Sequence, residues 1–192
     1  MKKTGLLFGS FNPVHIGHLA LANYILEYSN LEEIWFVVSP HNPFKESKEL
    51  ISEEHRLKMM QIAIKEEPRF KASDVEFSMP RPSYTIDTLD KLKELHPTKV
   101  FSIIIGADNL QEIHKWKEAE RLTATYSILC YPRGESQFSS KDFSPKIPII
   151  EAPLFDISAT LIRQALEKDK NIRFLLPHGV YDYIKENHLY LK

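Results

Sequence analysis

Two hydrophobic patterns alternate along this chain. The first is a set of short, mostly apolar runs, Leu6-Leu7-Phe8, Ile34 to Val38, Val100 to Ile105 and Tyr126 to Tyr131, of which the first two are unbroken and the last two each admit one serine. Runs of this length suit parallel strands that are covered on both faces. Arg69 to Phe77, bounded by Pro68 and Pro80, predicts a weaker third strand, and Ile147 to Ile150 a short sixth. The second pattern has apolar residues three or four apart, which predicts helices between the strands. Leu19, Ala22, Ile25 and Leu26 form the stripe of a helix expected from Val14 to Tyr28. Leu57, Met60 and Ile64 do the same after a Ser52 cap, and Leu89, Leu92 and Leu95 follow in a third. A helix is predicted over Asn109 to Leu122, another after Ser158 with Leu161, Ile162, Ala165 and Leu166 inward, and a last one over Gly179 to Asn187.

Strand and helix in alternation imply an α/β architecture with right-handed crossovers. The expectation is a Rossmann-like, mostly parallel sheet of order 3-2-1-4-5, with helices on both faces and a small C-terminal helical part. A chain of 192 residues fits one domain, taken as 1–192. Its net charge of −1 supplies no global basic field, so non-specific nucleic-acid binding is not expected. A single cysteine, Cys130, excludes an intramolecular disulfide and sits in an apolar run, as a small core residue would. No apolar run has membrane-spanning length, and Met1-Lys2-Lys3-Thr4-Gly5 leads into a strand and not a signal peptide, so the expected compartment is the cytoplasm.

The chemistry concentrates in GSFNPVHIGH, Gly9 to His18, where a strand passes through a tight turn into a helix. The first helical N–H groups lack backbone partners and carry the positive dipole end, so such a junction favours phosphate. Asn12 is the expected N-cap and Pro13 the first helical residue. His15 and His18, three apart, would then project from one helix face. Two imidazoles there suit a polyphosphate; a histidine pair on a helix is more often simply solvated or hydrogen-bonded, and as half of a zinc site it has no nearby cysteine and no obvious third and fourth ligands. A second junction, ISATLIR (Ile157 to Arg163), has Ser158 as cap and puts Thr160 and Arg163 on a face separate from the apolar stripe. A hydroxyl and a guanidinium beside a helix start suit the far end of a triphosphate.

Gly106-Ala107-Asp108 closes the cleanest central strand, and reads either as a ligand approach with a carboxylate beside it or as an ordinary capped turn. Lys45, in the loop after the second strand, is a phosphate contact or a solvated lysine. Arg56 points away from its helix's apolar stripe, towards the surface or a pocket wall. Trp116 is either core or a ring-stacking platform.

Taken together, these stretches resemble the bacterial nicotinate-nucleotide adenylyltransferases of the nucleotidylyltransferase superfamily over nearly the full length. The resemblance rests on GSFNPVHIGH, SYTIDTL (Ser83 to Leu89), GADN (Gly106 to Asn109), HKW (His114 to Trp116), ISATLIR and the ending LLPHGVYDYIKENHLY. It implies transfer of AMP from ATP to nicotinate mononucleotide, giving deamido-NAD and pyrophosphate, with Mg²⁺ carried in on ATP and no protein metal cage. It assigns His15, His18 and Arg163 to catalysis and phosphate binding. Gly9, Ser10, Phe11, Gly106, Asp108 and Ser158 would contact ATP, and Lys45, Thr85 and Trp116 the acceptor. The sequence departs from the family in two places. Asn42-Pro43-Phe44-Lys45 stands where Pro-Pro-His-Lys is common, and Lys117 follows Trp116 where an aromatic is frequent. The competing readings are the same transfer to nicotinamide mononucleotide or phosphopantetheine, and a nucleotide sensor without catalysis. Nothing in the sequence reports the oligomeric state.

Overall fold

A computed structural model describes residues 1–40, 50–132 and 147–191. Its elements are β1 (Lys2–Gly9), α1 (Ile16–Glu27), β2 (Glu33–Val38), α2 (Glu53–Ala63), β3 (Phe70–Ser73), α3 (Thr85–Leu95), β4 (Lys99–Gly106), α4 (Ala107–Gln111), α5 (Ala119–Thr125), β5 (Ser127–Tyr131), α6 (Ala159–Glu167) and α7 (Val180–Glu186). The five strands are all parallel, in the order β3-β2-β1-β4-β5 that the alternation predicts. Thr4 to Gly9 runs opposite Glu33 to Val38, and Lys2 to Leu7 opposite Lys99 to Ile104. The turns after β1 and β4 therefore leave the same edge side by side, where ligands bind in open α/β sheets.

Successive strand residues face opposite layers, which divides the core in two. Leu7, Phe36, Val38 and Ile104 pack with Ala22 and Ile25 of α1, Met59 and Met60 of α2, Ile162 and Leu166 of α6, and Val180 and Ile184 of α7. Leu6, Trp35, Val37, Ile103 and Cys130 pack with Ile86, Leu89 and Leu92 of α3, Leu110 of α4 and Leu122 of α5. Every residue of β2 is buried, as its unbroken apolar run requires. Burial pushes the Cys130 thiol up to about 11, with Asp108 adding to the effect, which fits an unreactive core cysteine.

Several boundaries differ from expectation. The predicted sixth strand is a single parallel bridge between Cys130 and Ile149, because Pro148 has no N–H to extend a ladder. The third strand stops at Ser73, and Val75–Ser78 instead forms a 3-10 turn. The helix expected over Asn109 to Leu122 is three pieces: α4, a 3-10 turn over Ile113–Lys115, and α5. Trp116 is extended and Glu118 left-handed, with φ 50°, so the axis cannot continue between them. Leu95 and Leu161, assigned inward, are exposed.

Candidate active site

The β1–α1 junction is built differently from its prediction. Asn12 and Pro13 form a turn joined by a cis peptide bond, so Asn12 is not the cap and Pro13 is not helical. The cap is His15, and α1 starts at Ile16. Phe11 has φ 45°, a conformation that costs a non-glycine residue about 1–3 kcal/mol. Its ring is buried, edge-on to His18 with centroids 5.1 Å apart and edge-on to Phe36 at 5.8 Å, and this packing holds it there. Glycine at position 9 makes room for that ring: a Cβ would lie 2.9 Å from Phe11 Cζ.

His15 and His18 are stacked, centroids 3.7 Å apart and planes 29° off parallel. His15 is buried and His18 half-buried. The His15 N–H donates to His18 Nδ1 at 3.2 Å, and the His18 N–H donates to the His15 carbonyl at 3.0 Å. A backbone N–H can only donate, so Nδ1 of His18 is the acceptor, and in the neutral ring the proton resides on Nε2.

The second junction is as predicted. Ser158 caps α6, accepting from the Leu161 N–H at 3.2 Å, and Arg163 Nη2 approaches Thr160 Oγ1 at 3.5 Å on the shared face. Arg163 Nη1 also donates to the Asn12 carbonyl at 3.0 Å, which joins the two junctions directly. The Tyr190 hydroxyl donates to Asn12 Oδ1 at 2.7 Å. Burial pushes the Tyr190 phenol well above its ordinary pKa, with Arg163 and Arg56 opposing the shift.

Thr85, Gly106 and Trp116 come together in one wall of a cavity of about 210 Å³, with Lys115, Lys117 and Tyr131 beside them. Trp116 is half-buried against the core and lines this cavity. Lys117 Nζ donates to both Asp87 carboxylate oxygens at 2.9 and 2.8 Å and stands 5.1 Å from the Tyr84 ring centroid. Ser10 is half-buried beside the first junction, and Asp108 is exposed at the start of α4. Lys45 lies outside the described residues. A larger cavity, about 410 Å³, sits over Trp35 between β3 and the last turn of α3, and holds none of the singled-out residues.

The sequence reading misses Glu76 and misplaces Arg56. Glu76 is buried in the wall of the 210 Å³ cavity, accepting from Ser83 Oγ at 2.9 Å and Thr88 Oγ1 at 2.8 Å. It fell within a predicted strand, which gave it no distinguishing signal. Arg56 is neither surface nor pocket wall: it is 1% exposed and binds backbone carbonyls through Nε and both Nη atoms. Burial lowers its pKa, with Tyr190, Glu53 and Glu54 acting the other way. Among the described residues, no group of three or more His, Cys, Asp or Glu side chains could hold a metal ion.

The cytidylyltransferase-like family profile matches residues 6–165. A Bacteroides fragilis (strain YCH46) protein named "Probable nicotinate-nucleotide adenylyltransferase" is 48% identical over 182 residues, covering 95% of this chain and 90% of its own length. A Flavobacterium johnsoniae protein of the same name is 43% identical, covering 99% of this chain and 100% of its own. The solved structure of Plasmodium falciparum nicotinic acid mononucleotide adenylyltransferase complexed with NaAD aligns with TM-score 0.82 at 27% identity, covering 99% of this chain and 98% of that one. With GSFNPVHIGH and ISATLIR meeting at one sheet edge, the chain belongs to the cytidylyltransferase-like family, as one of its nicotinate-nucleotide adenylyltransferases.

Proposed function

We infer that this protein transfers the adenylyl group of ATP to nicotinate mononucleotide, forming nicotinate adenine dinucleotide and pyrophosphate in NAD biosynthesis. The observation that carries the reading is the Arg163–Asn12 bond of 3.0 Å, which sets the guanidinium and the stacked imidazoles against one turn. Family membership among full-length relatives supports it.

An oxygen of the acceptor's 5′-phosphate attacks the α-phosphorus of ATP in line. One P–O bond forms, the bond to the β-phosphate breaks, and pyrophosphate leaves. The attacking oxygen is already ionised, so the protein has no proton to remove. Its task is alignment and stabilisation of charge on the α-phosphate and the departing group. His18 is set up for this as a neutral Nε2–H donor, since its Nδ1 is engaged by the His15 N–H. Arg163 holds the pyrophosphate portion, Ser158 anchors phosphate at the α6 start, and the Gly9, Ser10 and Phe11 turn with Gly106 and Asp108 receives the adenosine side. Thr85 and the adjoining N–H groups of α3 hold the nicotinate carboxylate; only the acid form is an anion, which separates it from the amide. Trp116 stacks on the pyridine ring, and Lys45 contacts acceptor phosphate.

Mg²⁺ is a hard ion that takes oxygen ligands and keeps several waters, so the phosphate oxygens of ATP suit it better than these imidazoles. It enters with the nucleotide and lowers the charge that the cationic groups must meet. The protein acts in the cytoplasm as one domain. The test is to supply Mg-ATP with nicotinate mononucleotide, nicotinamide mononucleotide and phosphopantetheine in turn, measuring pyrophosphate and the adenylylated product. The acid acceptor should be turned over fastest; pyrophosphate from phosphopantetheine alone would overturn the assignment, and pyrophosphate from none would favour the sensor.

A further inference from the structure

Arg56 has an environment that its place in α2 does not explain. It is fully buried, and no carboxylate of the described residues lies within ion-pair distance. Nη1 donates to the carbonyls of Ser10 and Ser39, both at 2.7 Å; Nη2 donates to Pro40 at 3.0 Å and Nε to Ile51 at 3.1 Å. Ser10 follows β1, Ser39 and Pro40 follow β2, and Ile51 precedes α2. One planar cation thus joins the ends of two neighbouring central strands to the start of a helix.

Enclosing a charge on neutral dipoles is a costly way to fill space, and an apolar side chain of that length would avoid the desolvation. What the guanidinium adds is direction. Its five N–H groups lie in one plane at fixed angles, so carbonyls bonded to it are fixed relative to each other. The Ser10 carbonyl is the one that matters for chemistry. Ser10 leads into Phe11, whose ring stands edge-on to His18, and into Asn12, which accepts from Arg163 and Tyr190. A displacement at Ser10 therefore reaches both groups assigned to the phosphates.

We propose that Arg56 is a positioning residue for adenylyl transfer, fixing the Ser10–Asn12 turn against the end of β2 so that His18 and Arg163 meet the nucleotide in register. The proposal deepens the reading above and rests on it for the identity of the reaction. Lysine at this position keeps the charge, but its three donors have no common plane and cannot reproduce the fork.

The experiment compares wild type with Arg56→Lys, each confirmed folded by circular dichroism. It measures kcat and KM for both substrates, and the ¹⁵N shifts of His18 without nucleotide. Arg56→Lys should lose about a hundredfold in kcat, the scale of a misplaced reacting group, with both KM values within about threefold of wild type. The His18 ring shifts should move as the Phe11 and His15 contacts loosen. Arg56→Ala should recover kcat saturably on addition of guanidinium ion, and if that variant does not fold, Arg56→Lys decides alone. A folded Arg56→Lys with kcat within twofold and unchanged His18 shifts would overturn the proposal. Wild type that forms no dinucleotide would count against the reaction instead, and the His18 shifts would then judge Arg56 independently.

Discussion

At the N-terminal end of the central strands, a buried acid is surrounded by bases. Glu33 is fully inaccessible, takes a hydrogen bond from Thr4 at 2.7 Å and one from Trp35 Nε1 at 3.0 Å, and pairs with Lys2 at 2.8 Å and with Lys99. At the C-terminal end, the buried base Arg56 is surrounded by carbonyls. Both clusters bury charge, but they meet it with different partners. The carboxylate below is met by opposite charges, the ammonium groups of Lys2, Lys71 and Lys99. The guanidinium above is held by carbonyl dipoles, and Glu53 and Glu54 act on it only at longer range. A charged partner needs only to be near, whereas a dipole must be aimed, so the lower cluster tolerates small movements that the upper one does not.

Breaking the upper cluster should affect rate, and breaking the lower one stability. His18→Ala should reduce kcat about a hundredfold to a thousandfold, the usual loss on removing a donor to developing charge, while the melting temperature falls by only about a few degrees for the lost contacts with His15 and Phe11. Steady-state kinetics beside calorimetry checks it; parallel losses in both would make His18 structural. Arg163→Lys comes next, with about a tenfold to hundredfold loss in kcat/KM for ATP, because a point charge replaces a fork that also holds Asn12.

Glu33→Gln should leave kcat of the folded protein unchanged and cost about 2 kcal/mol of stability, read from urea melts. Burial alone would raise the pKa of Glu33, but hydrogen bonds from Lys2, Lys99 and Thr4 outweigh it and hold the carboxyl at about 2, below its ordinary 4.5. Its contribution is therefore complete above about pH 4.5 and is lost as the pH falls from there towards 2. Wild type should weaken across that window while Glu33→Gln changes less, which melts at pH 3 and pH 6 would show. The smallest effect belongs to Lys117→Ala. Its ammonium is already engaged by Asp87, which raises its pKa, so the KM for nicotinate mononucleotide should rise less than about threefold.

The sequence carried the layout well, because mostly apolar runs and 3.6-residue stripes each have one favourable way to bury themselves. Ser158 as cap and Thr160 beside Arg163 were legible for a similar reason: both depend on positions within one helix. Asn12 misled because its side chain suits capping, whereas here it is engaged by Tyr190, a residue that local reading cannot bring near. Arg56 was unreadable on the same ground, since its partners are backbone atoms from three other segments. The break at Trp116 hid behind good helix formers on either side, and in the structure the extended Trp116 and the left-handed Glu118 mark it. Local rules locate elements and caps, and contacts at long range decide the interior of the site.

The Tyr190–Asn12 bond spans 178 positions. A ribosome emits Asn12 early and Tyr190 far later, and domains complete their distant contacts only once both partners are available. Chains halted before Tyr190 should therefore hold a formed sheet whose phosphate-binding corner is still unlatched, so that competence for nucleotide lags behind resistance to proteolysis.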